Sequence, residues 1–121
     1  MNLSNLAHTW IFDLDGTLVV HNGYKFGGDI LLDGVKDFFD KIPAEDFILI
    51  LTARKSEYKT ETVEFLKSVG LRYDKIIFDL PNGERILIND KKPEGLLTSH
   101  SVNLNRDAGL VEVDFVIEDN L

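Results

Sequence analysis

The chain has no cysteine. Disulfides and thiolate-bound metals are therefore excluded, and nothing in the composition points to an oxidising compartment. Long apolar runs are missing too: no stretch approaches the roughly 20 residues that a membrane helix needs. The N-terminus has no basic segment leading into an apolar one, so no signal peptide is expected. Positive charge is scarce. Lys and Arg number 13 against 21 Asp and Glu, a formal net charge of -8. Such a surface repels phosphate backbones, which argues against nucleic acid as a partner. A bound divalent cation would reverse that field locally and admit a small anion. Repeats, low-complexity tracts and linkers are absent as well. These absences leave a soluble, cytoplasmic protein with no membrane partner as the expectation.

What is present is enough apolar material for one core. With 121 residues, 44% of them hydrophobic, residues 1–121 read as a single domain. Thr9-Trp10-Ile11-Phe12 reads as a buried strand ending at Asp13. A polar, glycine-bearing loop follows from Val19 to about Leu32. Val35, Phe38, Phe39 and Ile42 recur on one face of a helix that Pro43 stops. Phe47 to Leu51 is a second strand, ending at Thr52. Tyr58, Phe65, Leu66 and Val69 form the stripe of a second helix, with Gly70 placed to end it. Lys75 to Phe78 reads as a third strand, Arg85 to Ile88 as a fourth ending at Asn89-Asp90, and Ser101 to Leu104 as a candidate fifth.

This alternation predicts an α/β domain with a mainly parallel sheet. Pro81-Asn82-Gly83 leaves two routes open between the third and fourth strands, a hairpin or an unusually short crossover. The polar residues collect where strands end: Asp13 and Asp15, Thr52, then Asn89 and Asp90. In open α/β sheets that edge lines the ligand crevice, so one site is expected there.

Asp13-Leu14-Asp15-Gly16-Thr17-Leu18 carries the clearest chemistry. Two carboxylates one residue apart converge on a small volume when the chain leaves its strand. Both stay ionised cheaply only if a cation holds them. Mg²⁺ suits that role, since it takes oxygen ligands together with substrate phosphate. Gly16 permits a sharp turn, and Thr17 offers a hydroxyl to position a neighbour. A carboxylate can also attack phosphorus to form an aspartyl-phosphate. The plainer reading is an acidic turn that caps a helix. The apolar strand before the motif and the Gly-Thr after it favour the functional one.

Ile11 to Leu18 resembles the first motif of the haloacid dehalogenase superfamily. The resemblance implies that Asp13 is a nucleophile and Asp15 a general acid/base. It also implies that the Asp13 carboxylate and the Asp15 backbone carbonyl bind Mg²⁺. Leu51-Thr52-Ala53-Arg54 resembles the second motif, whose hydroxyl residue binds the transferring phosphoryl group. Thr52 takes that role, with Ala53 and Arg54 beside it as substrate-binding candidates. Arg54 reads equally well as a solvated surface residue. Ile86 to Asp90 resembles the fourth motif, a source of acidic metal ligands, with Asp90 and Asn89 as candidates. An Asn where many members have an acid lowers the negative charge offered to a metal.

The family's third motif places a Lys before the fourth, and this chain has Leu80 there. Phosphoryl transfer needs a cation to offset charge on aspartate and phosphate. Arg85, Lys92 and Lys75 are the substitutes to consider. The resemblance spans about Trp10 to Arg106. Leu87 to Pro93 together with Asn103 to Asp107 look like small members associated with surface-polysaccharide and sugar-nucleotide biosynthesis. The implied fold is a three-layer Rossmann-like core without a cap domain, because the intervals between motifs are too short to hold a lid. An open site admits a bulky substrate, or a second copy of the chain supplies the lid in a homo-oligomer. His21, Asn22, Tyr24 and Lys25 are the substrate-selecting candidates in the Val19–Leu32 loop, while His8 and His100 read as structural.

The leading expectation is a Mg²⁺-dependent phosphatase acting on a small phosphorylated metabolite, in the first place a sugar phosphate. Two rivals stand beside it. Leu80 and Asn89 suggest a catalytically weak Mg²⁺- or phosphosugar-binding regulatory module. A response-regulator receiver domain also phosphorylates an Asp near Mg²⁺, but has no need of the Gly16-Thr17 pair.

Overall fold

The computed structural model describes residues 1–121. Two short strands come from the ends of the chain: β1 (Asn2–Leu3) pairs in parallel with β5 (Val116–Ile117). Between them lie β2 (Thr9–Asp13), α1 (Val35–Lys41), β3 (Phe47–Leu51), α2 (Lys59–Ser68) and β4 (Lys75–Ile77). Strands β2, β3 and β4 form a parallel sheet in that spatial order. The architecture is mixed α/β with small parallel sheets and no closed barrel.

The register sets the site. Asp13 lies opposite Leu51, and Leu51 opposite Ile77, so all three strands end on one edge. The backbone continues that pairing past the strands: Thr52 N donates to Ile77 O and Leu80 N to Thr52 O.

Helix α1 forms where its apolar residues fall on one stripe. Val35, Phe38, Phe39 and the following Ile42 are all buried, as the spacing predicts, and Ile42 turns extended just before Pro43. Helix α2 buries Leu66 fully and Phe65 and Val69 in part, while Tyr58 sits in the 3-10 turn ahead of it. Its end is closed by Gly70 N to Lys67 O and Leu71 N to Leu66 O, the two bonds of a Schellman ending.

Both helices join one contiguous core. It runs from Phe12, Leu14, Leu18 and Val19 to Ile48, Ile50, Leu66 and Leu110. An aromatic cluster fills the α1 side: the Phe12 and Phe39 centroids are 4.5 Å apart, and Trp10 lies 4.9 Å from Phe115. Beside it, the buried Asp46 accepts hydrogen bonds from Trp10 Nε1 at 2.9 Å and from His8 N at 3.0 Å. His8 Nδ1 lies 2.8 Å from the same carboxylate, and Nε2 faces Ser4 O, which gives His8 a structural role.

Three expectations need correction. Arg85 to Ile88 is not a strand, so the choice between hairpin and crossover does not arise. Ser101 to Leu104 is not a strand either. Strand propensity is realised only against a neighbour, and Ile86 and Ile88 stand 83% and 88% exposed, with nothing to pack on. The third correction concerns β2, which is an edge strand rather than a fully buried one. Phe12 and Trp10 face the core, while Ile11 on the other face is half exposed. Between β2 and α1, Val19 to Leu32 holds one 3-10 turn (Gly23–Lys25) and a bridge from Val19 to Leu31, with no inserted domain. No helix is long and apolar enough to cross a membrane.

Candidate active site

The loop after β2 is tightly wound. Leu18 N and Val19 N both donate to Leu14 O, which swings the chain back over the end of its own strand. Gly16 makes the reversal possible at φ 82°, a conformation that a side chain resists. Asp13 is held on both oxygens. The Thr17 hydroxyl donates to Oδ2 at 3.2 Å, and Arg85 Nη1 donates to Oδ1 at 2.9 Å. The carboxylate is still 40% exposed, so a ligand has access to it.

Asp15 is held differently. Arg54 Nε donates to one of its oxygens at 3.0 Å and Nη2 to the other at 2.9 Å, a bidentate fork. The same guanidinium reaches Asp29 through Nη1 and Nη2, at 2.9 and 2.6 Å, and the Thr62 hydroxyl through Nη1 at 3.0 Å. Its face lies 4.1 Å from the Tyr24 ring centroid, and Tyr24 packs edge-on against Tyr58. Only 1% of the Arg54 side chain is exposed. Burial alone would lower its pKa, but the hydrogen bonds and charges of Asp29 and Asp15 outweigh that and raise it. Arg54 is thus a buried hub that ties the Val19–Leu32 segment to the strand ends, and the surface alternative is excluded.

Thr52 is buried at the same edge, its Oγ1 accepting from Arg54 N at 3.0 Å, and Ala53 lies half-buried between them. Of the three cations considered for the missing Lys, Arg85 is the one in contact with Asp13. Lys92 lies exposed in a tight turn, with its N donating to Leu96 O. It shares with Asp13, Arg85 and Asn89 the lining of a broad groove of about 980 Å³. Lys75 begins β4 in register with Leu49 and Ile11, two residues back from the row that holds Asp13, and its side chain makes no ion pair.

The fourth-motif residues do not join the pair of aspartates. Without a strand at 85–88, nothing carries Asn89 and Asp90 to the common edge. The Asn89 amide donates to Thr98 O and Oγ1, both at 3.3 Å, and the Thr98 hydroxyl donates to the Asp90 carbonyl. No three acids or histidines are grouped to hold a metal. What the edge does offer is the accessible Asp13 carboxylate beside Asp15, in a polar cavity of about 250 Å³. That donor set fits Mg²⁺ in its usual protein mode, held by one or two carboxylates and otherwise by water and phosphate.

Comparison with protein-family models, curated proteins and solved structures gives no match for this chain.

Two residues of this edge were not among the candidate site residues. Asp29 sits in a loop without periodicity, yet it completes the Arg54 pair. Arg106 lines the same small cavity as Asp13 and Asp15. The sequence marks Arg106 only through the Asn103 to Asp107 segment that carries part of the resemblance, and through turn chemistry, an Asn and an Asp flanking it shortly before Gly109. Of the loop candidates, Tyr24 is engaged with Arg54, Lys25 Nζ lies 5.6 Å over the Tyr24 ring, and Asn22 caps the 3-10 turn at φ 56°. His21 N donates to Asp107 Oδ1 at 2.8 Å. His100 is exposed and without a partner.

Proposed function

We propose that the protein is a Mg²⁺-dependent phosphoric monoester hydrolase of the haloacid dehalogenase type. Its substrate would be a small phosphorylated metabolite, in the first place a sugar phosphate, and its intermediate an aspartyl-phosphate on Asp13. The observation that carries the reading is the contact of Arg85 with Asp13: a cation meets the nucleophile although the third-motif position holds Leu80. The convergence of Asp15, Thr52 and Arg54 on the same edge supports it. The three-layer, capless core belongs to the same proposal, in which the half-exposed face of β2 would take a further layer.

In this reading Asp13 attacks phosphorus in line, with Thr17 fixing its orientation and Arg85 offsetting its charge against the incoming phosphate. The bond to the leaving oxygen breaks, and Asp15 gives that oxygen a proton. Asp15 then takes a proton from water, which attacks the aspartyl-phosphate, frees phosphate and restores Asp13. Both Asp15 oxygens accept from Arg54, so Asp15 has to give up one of those bonds and take up a proton from solvent before it can protonate the leaving oxygen. The Asp13 carboxylate and the Asp15 carbonyl would hold Mg²⁺, which when bound supplies charge neutralisation at the phosphoryl oxygens.

The full engagement of Asp15 by Arg54, with no group of three acids or histidines arranged to hold a metal, favours a second reading: a Mg²⁺- or phosphosugar-binding module with little turnover. Phosphate release from a panel of sugar phosphates and nucleoside monophosphates separates the two. The phosphatase turns over with Mg²⁺, stops with EDTA and stops in Asp13→Asn. A folded protein that binds Mg²⁺ yet releases no phosphate across the panel is the binding module.

A further inference from the structure

Arg106 is an arginine that the chemistry above does not use, and its surroundings are built to hold it at the site. Asp107 N donates to Gly16 O at 2.9 Å, fastening the turn that carries Arg106 to the loop that carries Asp13 and Asp15. The Asp107 carboxylate accepts from His21 N at 2.8 Å, and Ala108 N closes the turn on Asn105 O at 3.1 Å. Just beyond, Leu110 N donates to Asp33 O at 2.9 Å. The aliphatic stem of Arg106 rests on Gly16. A Cβ there would lie 3.1 Å from Arg106 Cγ, so the glycine also gives the arginine its seat.

The guanidinium has no protein partner. Arg54 holds two aspartates, Arg85 holds Asp13, and Arg72 donates to the Asp46 and Pro43 carbonyls. Arg106 makes no hydrogen bond and no ion pair, in a chain with 21 acidic residues against 13 basic ones. Asp107, the nearest carboxylate in sequence, has one oxygen on His21 N. Several lysines are unpaired too, but Arg106 is the one basic residue lining the small cavity of Asp13 and Asp15; exposed, with its Cγ against Gly16 and its turn fastened, it is available to an anion from outside.

Its position says which part of a ligand it meets. Arg106 shares a cavity of about 250 Å³ with Asp13, Asp15, Gly16, Thr17 and Leu104. Arg85 already meets the carboxylate proposed to receive the phosphoryl group. Asp15 serves the leaving oxygen in the proposed reaction, so the space it shares with Arg106 is the leaving-group side. We propose that Arg106 is a substrate-recognition residue, and that the preferred substrate is a phosphate monoester whose alcohol part carries an anionic group of its own. That group is an oxyanion, carboxylate or second phosphate, which the planar fork of an arginine grips with two hydrogen bonds. This inference rests on the phosphatase reading for its geometry, but it concerns binding and is tested without turnover.

The test is calorimetric titration in the Asp13→Asn background with Mg²⁺ present, so that the probes are not consumed. Phosphogluconate is compared with glucose monophosphate, and fructose bisphosphate with fructose monophosphate. The member of a pair with the extra anion is expected to bind roughly tenfold tighter or better, the lower end of what a charge-assisted hydrogen bond contributes. The pair that shows the gain identifies the anion. Adding Arg106→Gln removes the gain and leaves the monophosphates within about twofold of their former Kd. Arg106→Lys retains part of it, which separates lost charge from lost fold. Equal affinity within both pairs, a gain that survives Arg106→Gln, or a loss shared equally by both members of a pair would each overturn the assignment. So would a protein that binds none of the four probes. Absent turnover together with an intact Arg106-dependent preference would count against the phosphatase and leave the recognition site standing.

Discussion

Replacing Arg54 by Ala removes the one cation between two carboxylates. All five N–H donors of Arg54 are engaged, four on Asp15 and Asp29 and one on Thr62. The Asp29 side chain is 6% exposed, and Asp15 is mostly covered. Without the guanidinium, two like charges face each other across a dry gap. Breaking a buried pair by removing one partner costs about 3–5 kcal/mol. With a urea m-value of about 2 kcal/mol per molar, a loss of about 4 kcal/mol lowers the unfolding midpoint by about 2 M. The assay is equilibrium urea unfolding at neutral pH, followed by Trp10 fluorescence. Asp29→Asn in the Arg54→Ala background should recover part of the loss, because it removes one of the stranded charges. A loss below about 1 kcal/mol, the range of an exposed ion pair, would refute the hub, as would a second substitution that only adds to the damage.

Two further perturbations probe other joints. Gly109→Ala places a Cβ 2.2 Å from Asp33 O at φ 77°, where an L side chain is already disfavoured. Strain and the disturbed Leu110–Asp33 bond together cost about 2–3 kcal/mol, read as a fall in Tm of about 10 °C. Asp46 is expected to set the acid limb of stability. Burial alone would raise its pKa, but the hydrogen bonds from Trp10 and His8 outweigh that and hold it below the ordinary 3.8. As pH falls below 3.8 the unfolded chain takes up the proton first, so the stability Asp46 contributes is present above that value and is lost as pH descends through the folded pKa. Denaturant unfolding from neutral pH downward should show this loss in the wild type and a flatter acid limb in Asp46→Ala.

Much of the scaffold was legible because its signals are local. Runs such as Phe47–Leu51 are apolar, short and bounded by polar residues, and Val35, Phe38, Phe39 and Ile42 repeat at a helical interval. Asp13, Asp15 and Thr52 could be placed on one edge for the same reason, since each follows such a run. What escaped depends on partners distant in sequence. The apolar run Ile86-Leu87-Ile88 reads as a strand until one asks which strand it pairs with, and the structure gives it none. The pairing of Asn2–Leu3 with Val116–Ile117 joins opposite ends of the chain, and no periodicity announces it. Arg54 shows the same gap within the site. Its sequence neighbours allow a surface role, and only the fold brings Asp29 and Tyr24 to it. Arg85 was one cation among three until the path of the chain after β4 laid it on Asp13.

The open edge of β2 and the bare Ile86–Ile88 run bear on how the molecule behaves in a crowd. An unpaired strand edge is a template for another chain, and an uncharged apolar tripeptide is a ready strand to lay on it. At neutral pH the net charge of -8 keeps copies apart. That protection is colloidal rather than structural, so it fades near the pI of about 4.7, or in salt strong enough to shrink the Debye length to about 3 Å. Concentrated stocks should therefore keep best in dilute, mildly alkaline buffer. A Lys in place of Ile88 would guard the edge by making the free run a poor strand.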